Sequence, residues 1–80
     1  MENVKGYIEK IVYRNEENGY TVMSVNADGE EITCVGIFHY IGEGEYLELQ
    51  GEYIEHPSYG EQLSAVSYTH LRAHETVLDL

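Results

Sequence analysis

Turn signals punctuate this chain at short, regular intervals, and that spacing limits what it can fold into. The stretches "RNEENG" at 14–19, "NADGE" at 26–30, "GEGE" at 42–45 and "HPSYG" at 56–60 collect the residues that backbone reversals require. The intervening segments are short and alternate as strands do, which predicts a small all-β barrel or sandwich. The clearest alternation lies at 45–54: Leu47, Leu49, Gly51 and Tyr53 face inward, while Glu48, Gln50 and Glu52 face water.

Five strands are expected. The first, at 4–13, carries Ile8 and Ile11, whose spacing breaks two-residue parity and predicts a β-bulge near Glu9 and Lys10. The second covers 19–25. The Asp28-Gly29 pair predicts a tight hairpin turn into the third strand at 31–38, because such turns need positive φ. In the third strand, Gly36 marks a place where another strand passes close. One turn of helix fits at "FHYIG". The fifth strand begins near Gly60 and takes in Gln62 and Leu63, extending toward Ala65 and Tyr68. A bulged first strand among five suggests a partly open, OB-like barrel over residues 1–66, followed by an irregular or short helical tail at 67–80.

Eighty residues give one small domain, which buries only about two-thirds of the surface exposed by its unfolded chain. Eight Tyr against one Phe and no Trp supply much of the bulk. The single Cys34 excludes an internal disulfide and a four-thiolate zinc site, and it reads as a small buried hydrophobe. The cysteine usage fits a reducing cytosol. No apolar run is long enough to cross a membrane as a helix, and the N-terminus lacks a signal-peptide pattern. Cytoplasmic localisation without membrane attachment is the expectation.

Charge bears most directly on partners. Fifteen acidic residues oppose four basic ones, a formal net charge of −11. Domains that grip nucleic acid through its phosphates need clustered Lys and Arg. Here Lys5, Lys10 and Arg14 are the only basic residues that can share a patch. With Tyr13 they are the candidate DNA contacts, and Tyr7, Tyr20, Tyr46, Tyr53 and Tyr59 could add stacking surfaces. Glu16 and Glu17 read as part of a polar turn. The "HPSYG" stretch reads as a rigid turn with Tyr59 packed over the barrel end, in preference to a nucleophilic site. No catalytic, cofactor-binding or metal-ligating residue is assigned.

The pieces Asn15-Glu16-Glu17-Asn18-Gly19-Tyr20-Thr21-Val22, Val35-Gly36 with Phe38, Gly44-Glu45 with Gly51, and His56-Pro57-Ser58-Tyr59-Gly60-Glu61-Gln62 occur together over residues 4–63. In that combination the chain resembles the N-terminal OB-type domain of RecD-like ATP-dependent DNA helicases, the RecD/TraA group related to exodeoxyribonuclease V alpha chains. The resemblance implies structural roles for Asn15, Asn18, Gly19, Tyr20, Gly36, Gly51, His56, Pro57, Tyr59, Gly60 and Gln62. It also implies a longer parent enzyme that unwinds DNA 5′ to 3′ in repair or recombination. That parent's motor would bind ATP and Mg. No phosphate-cradling Gly-Lys-Ser/Thr element occurs in this chain. The expected partners are the parent's motor domains and, through the parent, DNA; oligomeric state stays open. Docking or regulation within the helicase is the first functional expectation. Weak single-stranded DNA binding is the second, and a free-standing acidic interaction barrel is the third.

The ending departs from this pattern. After Ala65 glycine disappears, and His70 and His74 stand four apart, the spacing of ligands on one helical face, with Glu75 next to the second and Asp79 as a further acid. Their order differs from His-Glu-x-x-His, and no further ligand completes a shell. "VSYTHLRAHETVLDL" is similar to a stretch that recurs at the ends of unrelated translated fragments. That similarity implies adaptor read-through, with a junction at 64–66 and a fragment cut short before its motor.

Overall fold

In the computed structural model residues 1–71 are described. They form β1 (Glu2–Arg14), β2 (Tyr20–Ala27), β3 (Glu30–Ile37), β4 (Tyr46–His56) and β5 (Gly60–His70). The strands close into a barrel in the order β1-β2-β3-β5-β4. The all-β, five-stranded expectation therefore holds. No helix occurs among the described residues, so none there is long and apolar enough to cross a membrane.

β1 closes the barrel because it serves two neighbours. Its first half pairs with β4, from Glu2↔Gly51 to Tyr7↔Tyr46, and its second half pairs with β2. The register slips between Ile8 and Lys10, where the bulge is expected. A second slip, between Ile11 and Tyr13, has no counterpart in the sequence reading. Each slip adds one residue, bends the strand and strengthens its twist. Ile8 can thus enter the core and Ile11 can pack against it despite their three-residue spacing.

The β2–β3 turn has Asp28 at φ +57° and Gly29 at φ +89°, the left-handed pair that a primed hairpin turn requires. β3 and β5 run parallel, with Cys34↔Leu63 and Val35↔Ser64 as ladder partners. A Cβ on Gly36 would stand 2.9 Å from the Ala65 carbonyl oxygen, so this glycine permits the close approach of β5. Met23, Val25, Cys34, Leu47, Leu49 and Leu63 fill the barrel with no exposed surface. The residues expected to make a helical turn instead form an irregular bend that carries Phe38 and Ile41 into the core.

Two expectations are corrected by packing. Tyr53 does not continue the inward row of Leu47 and Leu49. It lies on the outer stretch of the β4–β5 hairpin and is 39% exposed. The helical reading of the ending also fails where the structure describes it. Ser67, Tyr68, Thr69 and His70 lie in β5, paired with Gln50, Leu49, Glu48 and Leu47. Helical spacing between two histidines carries less weight than the ladder that β4 offers beside its buried leucines. Residues 72–80, including His74 and Asp79, lie outside the described region.

Candidate functional site

Strand alternation turns Tyr20 and Val22 of β2 outward, together with Thr33 and Val35 of β3, while Met23, Val25 and Cys34 point into the core. The second β1 bulge leaves Val12 and Tyr13 exposed beside them, with Tyr13 opposite Val22. The β4–β5 turn then brings His56, Tyr59 and Gln62 against the same surface. The result is a groove of about 600 Å³ with an aliphatic floor and aromatic walls. Val35 faces out of the barrel yet is only 5% exposed, because it forms part of that floor.

Both turns that frame the groove are fixed by their own side chains. In the β4–β5 turn, Nδ1 of His56 accepts the amides of Ser58 at 3.0 Å and Tyr59 at 3.2 Å. A nitrogen accepting two amides carries no proton, so the ring proton resides on Nε2. The His56 ring also lies against Tyr59, with centroids 4.7 Å apart. Tyr59 does not pack over the barrel end as expected. It is 76% exposed and stands at the groove wall. In the β1–β2 loop, Asn15 Oδ1 accepts the Glu17 amide and Asn18 Oδ1 accepts the Tyr20 amide, both at 2.9 Å. Gly19, at φ +81°, donates its amide to the Asn15 carbonyl. Its own carbonyl accepts the Phe38 amide, which ties the loop to the barrel end. The acids Glu16 and Glu17 are left exposed between two groove residues, Tyr13 and Tyr20.

The candidate DNA contacts do not converge. Tyr13 lines the groove, but Lys5 lies opposite Glu48 on the β1–β4 side of the barrel. Lys10 follows the first bulge, opposite Ser24. Arg14 reaches in the other direction, donating from Nη2 to the His39 carbonyl at 2.7 Å and from Nη1 to the Ile41 carbonyl at 3.2 Å. It braces the β3–β4 loop that delivers Ile41 to the core. No Lys or Arg among the described residues lines the groove. Sequence reasoning missed Val12, Val22, Thr33 and Val35 as groove residues. Their signal was apolar or β-branched side chains at outward-facing positions, where a solvated sheet face would carry charge.

Elsewhere the structure offers less chemistry. Burial pushes the Cys34 thiol up to about 12, which keeps it protonated and unreactive. Across the hairpin a second cleft is lined by Glu30, Glu31, Glu61 and Tyr53. Burial, then the carboxylates of Glu2, Glu61 and Glu30, raise the Tyr53 phenol. His70 Nε2 lies 2.8 Å from Glu45 Oε1 at the surface. Among the described residues no three His, Cys, Asp or Glu side chains group as metal ligands.

No curated protein matches the chain. A family model for the OB-fold domain of the ATP-dependent DNA helicase YrrC matches residues 1–72. That span contains all five strands of the barrel and both groove-framing turns. The chain belongs to this helicase OB-fold family.

Proposed function

We propose that the domain is a docking module of a RecD-like ATP-dependent DNA helicase, and that its groove receives a protein segment from the motor domains or from a recruited partner. One observation carries the reading: a preformed aromatic groove of about 600 Å³ that no Lys or Arg among the described residues lines, on a chain of net charge −11. Its size is in the range, about 300–1,000 Å³, of surfaces that hold specific ligands. Its charge disfavours a phosphate backbone, which needs cations to replace its counterions. In the parent enzyme, 5′-to-3′ unwinding for repair or recombination, ATP and Mg binding, and the main grip on DNA belong to other domains. Cytoplasmic location is part of the same proposal.

The second reading is direct stacking of single-stranded DNA. Tyr13, Tyr20 and Tyr59 favour it, because all three are exposed along one groove. Titration of the 80-residue chain with a labelled oligothymidylate at low salt separates the two. Docking predicts no saturable binding below about 100 µM. Micromolar, salt-sensitive binding that is lost on substitution of Lys5 and Lys10 would replace it with the DNA reading.

A further inference from the structure

Gln62 lines the groove and is 6% exposed, yet its carboxamide has no hydrogen-bond partner among the described residues. The other side chains that fix the groove-framing turns by hydrogen bonding each meet a backbone group: His56, Asn15 and Asn18 all accept amides. A buried carboxamide without a partner is costly, and such groups in native proteins are ordinarily satisfied. Its position, on a wall of the groove, suits a ligand that supplies one donor and one acceptor.

Resting on the docking reading, we infer that the groove binds an extended, cation-flanked peptide segment whose backbone pairs with the Gln62 carboxamide. In an extended chain the N–H and C=O of a single residue point to the same side, and a carboxamide presents the matching acceptor and donor. An aliphatic side chain of that segment rests on Val22 and Val35, between Tyr20 and Tyr59. A Lys or Arg at the end of the segment nearer the β1–β2 loop faces the exposed Glu16 and Glu17. A nucleobase can also pair with a carboxamide. Each nucleotide, however, brings a phosphate into a groove that no Lys or Arg among the described residues lines. A second copy of this chain brings another −11 of charge.

Fluorescence polarisation with the 80-residue chain tests this directly. The probes are a labelled heptapeptide of alternating Lys and Leu, the same peptide with Glu for Lys, and a labelled oligodeoxyadenylate. The Lys/Leu peptide is expected to bind with Kd on the order of 10–100 µM at low salt, and the other two at least about tenfold more weakly. Gln62→Met is expected to weaken the peptide about tenfold while raising Tm by about 4 °C or more, since it removes an unpaired buried amide. Tyr59→Ala alters an exposed side chain, keeps the fold, and is expected to weaken the peptide as well. Peptide binding that Gln62→Met leaves unchanged overturns the carboxamide's role while docking stands. Failure of the Lys/Leu peptide to bind at about 1 mM overturns the inference itself. Tight oligodeoxyadenylate binding in its place overturns the docking reading too.

Discussion

Arg14 distinguishes a structural cation from a DNA-contacting one, and the structure fixes what its loss should do. Arg14→Ala removes two hydrogen bonds from a charged donor, at 2.7 Å to the His39 carbonyl and 3.2 Å to the Ile41 carbonyl. Such bonds contribute about 1.5–3 kcal/mol each when shielded from water. The first of these is exposed and the second is long and half-buried, so the pair contributes about 2 kcal/mol together. The loop they hold places Ile41, 8% exposed, against the core, so weakening the loop also loosens apolar packing. For a domain of this size about 2 kcal/mol lowers Tm by about 8–16 °C. Arg14→Lys keeps the charge but has no fork to span two carbonyls, and about half the loss is expected. Thermal unfolding followed by circular dichroism, repeated at high salt, measures both variants. If Arg14→Ala unfolds within about 2 °C of the parent, or Arg14→Lys is indistinguishable from it, the brace is not what Arg14 is for. The side chain would then be free to meet phosphate.

Gly51→Ala drives a Cβ into the Ser64 carbonyl at the bulge between Gln50 and Gly51, and is expected to destabilise by more than about 2 kcal/mol in urea unfolding. Tyr68→Ala removes an edge-on ring at 4.9 Å from Phe38 and the hydroxyl that accepts the His39 amide; about 2–3 kcal/mol should be lost. Cys34 predicts a pH dependence. Its thiol, ordinarily at 9.0, is pushed up to about 12 by burial, so above pH 9 the unfolded chain releases a proton that the folded barrel retains. Stability is unaffected by this group below pH 9 and falls by about 1.4 kcal/mol per pH unit between 9 and 12. Cys34→Ala should lack that slope in urea titrations compared at pH 8, 9 and 10. Equal slopes would show that the thiol is not held protonated.

Much of the fold was legible wherever the signal was local. Asp28 and Gly29 declared their turn because only a few residues adopt positive φ cheaply. The Ile8–Ile11 spacing declared a bulge because side-chain parity along a strand is strict. Gly36 marked the approach of β5, although it could not say which strand approached. The groove was not legible as a site. It is assembled from β1, β2, β3 and the β4–β5 hairpin end, and depends on a second bulge with no parity break to reveal it. Arg14 is a similar case. A cation near the end of a strand reads as solvated or ligand-facing until the loop whose carbonyls it meets, about 25 residues away in the chain, is placed beside it.

The end of β5 shows how little side-chain signal a closing strand requires. Leu47 and Leu49 are fully buried on β4, and at 47–49 that strand already has β1 on one side. Its other ladder needs a partner that can stay extended, and main-chain groups supply those bonds whatever the side chains are. Within residues 67–70 the side chains add mainly Tyr68 against Phe38, Ser67 donating to Gln50 at 3.0 Å, and His70 beside Glu45. The Leu71 amide extends the connection to the Tyr46 carbonyl at 2.9 Å. A helix in this segment would leave one side of β4 without a ladder beside two core leucines. The barrel's demand for closure therefore outweighs the helical spacing of two histidines, and His70 becomes an exposed strand residue beside a carboxylate.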